Sequence, residues 1–187
     1  MRNFLENIYG ILFNPQKTIA ILIETQPVWQ AFSIIVALSL ASAILGQKAG
    51  FTGMYDFIFF FGNVAAIFIS SLIIWFSMAG FFEITARIFS DDNNFRKLLS
   101  LMGFALLPWI LTAPLMLIKI NLPLIITSIV LEILVWIWSI VLIFLSVKQV
   151  YNLSIKKTLL FFAMPILGTI VTINWISQFF AIFTGLF

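Results

Sequence analysis

The chain has 187 residues, of which 63% are hydrophobic and 9% charged, with a net charge of +3, and its mean hydropathy is +1.16. That composition leaves too little polar surface to cover a soluble globule, so the sequence reads as an integral membrane protein. Cys and His are both absent, which excludes disulfides, thiolate or imidazole metal sites, Cys nucleophiles and Ser-His catalysis.

In chain order, MRNFLENIYGILF places Phe4, Leu5, Ile8, Ile11 and Leu12 at helical spacing with Asn3, Glu6 and Asn7 opposite, the pattern of a short interfacial helix. Asn14-Pro15 reads as an N-cap with proline at the first helical position, opening a second short helix through about Thr25. Pro27 stops it. Residues 1–27 thus form a cytoplasmic, interfacial amphipathic segment. Its charges nearly cancel, Arg2 and Lys17 against Glu6 and Glu24, so apolar contact holds it to the membrane more than attraction to anionic lipid. Packing on the protein's own cytoplasmic loops is the alternative.

Residues 28–187 read as five membrane spans, about 28–46, 57–82, 98–118, 122–147 and 159–183, each roughly 20 residues or more and able to cross a hydrocarbon layer of about 30 Å. The expected fold class is all-α, a polytopic membrane helical bundle preceded by short interfacial helices. Ser39, Ser42, Ala43 and Gly46 give the first span small residues at the spacing that lets membrane helices approach closely. The second span continues as helix toward Phe89, with Glu83 and Arg87 at i and i+4 in the favourable order for a pair on one face, or else snorkelling at the membrane surface. Asp91, Asp92, Arg96 and Lys97 then hold a short loop in water before FRKLLSLMGFALLPW carries the chain into the third span. Pro108 and Pro114 lie within that span, and a kink is expected at Pro108, because proline frees a backbone carbonyl that neighbours must satisfy.

Lys119-Ile-Asn121 makes a tight turn before Pro123, so the third and fourth spans form an antiparallel hairpin. Residues 148–157 form a second charged loop, and the last span has Pro165 near its start and Asn174 and Gln178 deeper in. FALLP after Arg96-Lys97 and FFAMP after Lys156-Lys157 form a weak echo with unequal spacings, the trace of a parallel repeat if one exists.

Alternating the loops puts Arg2, Lys17, Arg87, Arg96, Lys97, Lys148, Lys156 and Lys157 on one side and only Lys48 and Lys119 on the other. Eight against two places the amino terminus in the cytoplasm and the carboxyl terminus outside. Arg87, Arg96, Lys97, Lys156 and Lys157 make up a cytoplasmic basic patch. Glu132 is the leading intramembrane candidate, since it lies near the middle of the fourth span, where an ionised carboxylate costs about 2.5–3.5 kcal/mol. Asn63, Thr112, Asn174 and Gln178 fall at middle or outer depth on the other spans and are candidates to converge on it. Such a centre would serve a proton or cation step or a polar ligand; the alternative is an interhelical hydrogen-bond clasp. A lone deep acid excludes the paired carboxylates of intramembrane aspartyl proteolysis. No phosphate loop, metal-ligand cluster or G-x-S-x-G elbow is present, so neither catalytic residue nor cofactor nor nucleic-acid partner is expected.

ILFNPQKTIAILIETQPVWQAF, FRKLLSLMGFALLPWIL and WSIVLIFLSVKQVYNLSIKKTLLFFAMPI together resemble the bacterial branch of the Yip family, the Ypt-interacting-protein group of small membrane proteins. The best marks are Asn14-Pro15, the Phe95-Arg96 loop leading through Gly103 to Pro108, and Tyr151 to Lys157 before the last span. The resemblance implies five spans, a cytoplasmic amino terminus, and residence in a bacterial cytoplasmic membrane. In eukaryotic members it implies Rab-type GTPases and vesicle traffic through a cytoplasmic amino-terminal region. The residues before the first span here hold no long acidic or polar domain, so a GTPase partner is not expected. The sequence points to a non-enzymatic, membrane-organising or adaptor protein whose partners are lipids, a second copy or another membrane protein. The alternative is a transporter or channel for a proton-coupled solute, ion or lipid along a path through Glu132.

Overall fold

The computed structural model describes residues 3–45, 54–88, 94–118 and 125–164. Helices α1 (Phe4–Phe13) and α2 (Pro15–Thr25) precede α3 (Val28–Leu45) and the long α4 (Met54–Ala86). Then come α5 (Phe95–Ala105), a 3-10 turn (Leu107–Leu111), α6 (Thr112–Ile118), α7 (Ile125–Val150) and α8, described over 155–164. Among the described residues there is no strand.

The bundle is built around α5. Every residue from Leu98 to Ala105 is buried, and α5 packs against α3, α4 and α7. Beyond Arg96 and Lys97 the helix is apolar except for Ser100, so from Leu98 on it has no face to give to water and takes the centre. Its small residues set how close the neighbours come. A Cβ added at Gly103 would lie 2.5 Å from the Ala31 Cβ and 3.2 Å from the Ala31 carbonyl oxygen, so α3 and α5 touch backbone to backbone here, as membrane helices do where small residues meet. Trp75 of α4 is buried, and its indole N–H donates to the Leu99 carbonyl at 2.9 Å.

Proline breaks the same segment below its buried part. At Pro108 the α-helical pattern gives way to the 3-10 turn, and the Leu106 N–H bonds Met102 and Phe104. The Phe104 carbonyl, which the residue at 108 would serve in an unbroken helix, is thus taken up by Leu106, and the Thr112 hydroxyl donates to the Trp109 carbonyl at 2.6 Å. Pro108, Leu111, Pro114 and Leu115 then wall an apolar cavity of about 390 Å³ with Leu12 of α1 and Leu131, Leu134, Val135 and Trp138 of α7.

Both amino-terminal helices rest on the bundle. Thr18, Ile19 and Leu22 of α2 are buried where α2 meets α5 and α7, and the Gln149 side-chain amide donates to the Gln16 carbonyl at 3.2 Å. Asn7 of α1 donates to Gln30 of α3 at 2.8 Å. Gln26 takes a left-handed conformation (φ 44°), and its N–H closes α2 on the Leu22 carbonyl. The chain then turns through 118° into α3.

Among the described residues three helices are long and apolar enough to cross a membrane: Ile58–Ala86, Phe95–Leu115 and Ile126–Val150. The bent pair of α2 and α3 makes a fourth if it counts as one crossing. At 1.5 Å per residue α3 is about 27 Å long, just short of the hydrocarbon layer, and it carries Gln30, Ser33, Ser39 and Ser42. The expected fifth span lies outside the described residues from 165 onward, Pro165 included. The second helix runs past Phe82 to Ala86, in line with the continuation expected toward Phe89, and α7 runs to Val150, beyond the expected 147.

Gly103→Ala should destabilise the fold by about 1–3 kcal/mol, the usual cost of overpacking. Gly62→Ala, where an added Cβ meets nothing within 4 Å, should not. Thermal unfolding of both variants in one detergent checks this, and equal melting of the two would show that the α3–α5 approach does not constrain the bundle.

Candidate functional site

Three helix ends meet in one buried polar junction. Glu83, one turn before the end of α4, is only 4% exposed. Its Oε2 accepts the Tyr151 hydroxyl at 2.6 Å, and its Oε1 accepts the Asn94 backbone N–H at 3.1 Å. Asn94 is the N-cap residue of α5, but its side chain makes no cap; its Oδ1 instead accepts the Lys97 ammonium at 2.7 Å. The Glu83 carboxylate therefore stands at the amino-terminal end of α5 in place of a capping side chain, where a negative charge is favoured. A phenol-to-carboxylate bond of this length is a strong, charge-assisted one.

Local backbone chemistry delivers Tyr151. At the end of α7 the Leu153 N–H bonds the Lys148 carbonyl at 3.0 Å and the Asn152 N–H bonds the Gln149 carbonyl at 3.4 Å, while Asn152 has φ 49°. This is a Schellman closure with asparagine in the left-handed position. Leu153 and Phe161 are buried beyond it, and the Phe161 ring lies 5.9 Å from Phe82. Burial chiefly, with the Glu83 carboxylate, raises the Tyr151 phenol above its ordinary pKa, and Arg87 opposes them.

Around the junction stand the expected basic residues. Arg87, Arg96, Lys156 and Lys157 are exposed and Lys97 is half-buried. The i, i+4 pairing expected of Glu83 does not describe its environment, because both carboxylate oxygens are engaged by Tyr151 and Asn94. Sequence reasoning missed Asn94 and Tyr151. A glutamate near the end of a long apolar helix needs donors from other elements, and the Tyr-Asn pair closing the next charged loop was the signal available.

The intramembrane candidates are more dispersed. Glu132 is half-buried on α7, on the face that also carries Ser128, Val135 and Ser139, all buried. Thr112 is half-buried and occupied locally, Asn63 is exposed on α4, and Asn174 and Gln178 lie outside the described residues. Most helix serines satisfy themselves on the preceding turn, as Ser39 does on Ile35 and Ser146 on Leu142. The buried hydroxyls of Ser100 and Ser139 and the Asn7 carbonyl oxygen have no hydrogen-bond partner. Among the described residues no three His, Cys, Asp or Glu side chains are placed to hold a metal ion.

An all-helical bundle with several apolar crossings and a polar junction at one end defines a multi-pass membrane protein. More narrowly, the chain matches the Yip1 domain model over residues 9–176 and belongs to that family. An uncharacterised protein of Methanocaldococcus jannaschii is 31% identical over 87 residues, which is 44% of this chain. The match spans 60% of that relative's length. No solved structure matches the chain.

Tyr151→Phe should cost about 1.5–3 kcal/mol, the worth of a hydrogen bond to a charged group. A double-mutant cycle with Glu83→Gln should show coupling. Because the folded-state pKa of Tyr151 lies above the unfolded value of about 10, the contact stabilises the fold below that pH and fades as pH rises past it. Melting curves through the alkaline range should fall more steeply for wild type than for Tyr151→Phe; parallel curves would deny the junction a role in stability.

Proposed function

We propose that this Yip1-family protein is a non-enzymatic, membrane-organising or adaptor component that works through its charged end and its lipid-facing helices. The observation that carries this reading is the junction of Glu83, Tyr151 and Asn94. It draws the ends of α4, α5 and α7 together, so that Arg87, Arg96, Lys156 and Lys157 stand exposed around one fixed platform. The helices beneath it present large apolar side chains, among them Phe59, Ile73, Ile84, Ile133 and Ile137, the surface a bilayer covers. Rigid presentation of charge at a membrane surface suits recognition. The lysine and arginine bias supports a cytoplasmic location for this end and the cytoplasmic membrane of a bacterium as its setting.

The test pairs two assays. Liposomes holding wild type or Glu132→Gln should pass protons no faster than empty ones. In native membranes, photo-crosslinkers placed at Arg87 and Lys157 should trap a discrete membrane-protein partner or a second copy. Neutralising Lys97 and Lys156 should reduce the yield several-fold, as expected for charge-steered contact. Proton flux in wild type that Glu132→Gln abolishes while the variant melts normally would replace this reading with transport.

A further inference from the structure

A second cavity opens at the charged end, of about 590 Å³, between the start of α3 and the start of α5. Its walls are graded. Arg96, in the first turn of α5, and Gln26 and Gln30, at the bend into α3, supply polar groups; Val28, Trp29, Phe95 and Leu99 supply apolar ones. Arg96 is exposed and Leu99, further along α5, is buried, so the wall passes from a charged rim to an apolar interior.

We propose that this cavity binds one anionic phospholipid, with its phosphate on Arg96 and its acyl chain descending past Trp29. Three observations carry the assignment. Arg96 makes no hydrogen bond or ion pair among the described residues, whereas its neighbour Lys97 is held by Asn94. An arginine fork left open at a membrane surface matches a phosphate in both charge and geometry. The Gln30 amide oxygen accepts from Asn7, which fixes the side chain and leaves its NH₂ to donate.

The third observation concerns the apolar side. Trp29 is 81% exposed, the condition of an indole that a membrane interface covers. Its ring stands 6.0 Å from Phe32, and Phe32 stands 6.1 Å from Phe68 of α4. Phe32 and Phe68 are both partly exposed, so an aromatic path leads from the cavity along the seam of α3 and α4. A soluble anion would use the arginine and leave that path empty. A phospholipid uses both.

The inference deepens the proposed function by naming a ligand class for its charged end, and it rests on that end lying at a membrane surface. The purified full chain in neutral detergent is titrated with short-chain phosphatidylglycerol, with short-chain phosphatidylcholine and inorganic phosphate as comparisons. Wild type should bind phosphatidylglycerol saturably and the other two much more weakly. Arg96→Gln should weaken binding about tenfold or more, the loss expected for one charged hydrogen-bonded contact. Trp29→Ala should also weaken it. Lys156→Gln, which removes the same charge outside the cavity, should leave it within about twofold.

Equal losses in Arg96→Gln and Lys156→Gln would reduce the effect to general surface charge and overturn the site. Full competition by inorganic phosphate would overturn the lipid assignment. Should Arg96→Gln melt early, Arg96→Lys keeps the charge without the fork and should still weaken binding; wild-type affinity in that variant would overturn the phosphate contact. Because no partner is present, failure here leaves the crosslinking result standing, and failure of the crosslinking leaves this one.

Discussion

The close approach of α5 to α3 at Gly103 and Ala31 is the constraint on which the rest depends. Inside a bilayer, lipid tails solvate apolar side chains as well as other helices do, so helices associate mainly through tight packing and a few hydrogen bonds. Gly103 permits that packing where any side chain would meet the Ala31 backbone. With α3 this near, Leu98, Met102 and Phe104 can all be buried at once. The indole of Trp75 then reaches the Leu99 carbonyl from α4. The centre is apolar and dense, and it fixes where three helices start or stop.

Those ends are where polar chemistry becomes possible. Glu83 would be costly to bury alone, and it is retained because Tyr151 and Asn94 supply donors from two other elements. The same contacts relieve the open end of α5, whose N-cap side chain is turned to Lys97. One carboxylate therefore ties α4 to α7 and caps α5. The tie neutralises none of the surrounding cations by direct pairing, which leaves Arg87 and Arg96 exposed beside a structure that cannot easily rearrange.

Much of this was legible in the sequence, for reasons that differ by element. The long unbroken apolar runs of α4 and α7 could only be membrane helices. FRKLLSLMGFALL marked α5 because a charged head followed by apolar residues on every side has no amphipathic alternative. The boundary between a span and a bent pair was not legible at α3, since a 118° turn at Gln26 depends on one residue adopting a left-handed backbone. Nor was the partner of Glu83, which lies 68 positions away along the chain. Local spacing offered Arg87 instead. Depth in the bilayer drew attention to Glu132, but depth alone does not say which faces converge, and Asn63 stands exposed on α4.

The outward faces of the first two helices show how the bundle meets its surroundings. On α1 the exposed stripe is Leu5, Tyr9 and Phe13, spaced by four, with the Tyr9 and Phe13 rings 4.5 Å apart. On α2 the exposed residues include Gln16, Lys17 and Glu24. An apolar aromatic stripe suits hydrocarbon, and a mixed charged stripe suits water. Both helices bury their other faces in the same bundle. Asn14-Pro15, between them, is where the exposed surface changes from mainly apolar to charged. Leu12, just before that change, closes one end of the cavity behind Pro108. The amino-terminal segment is thus a built part of the fold, fitted through Leu12 to the proline break.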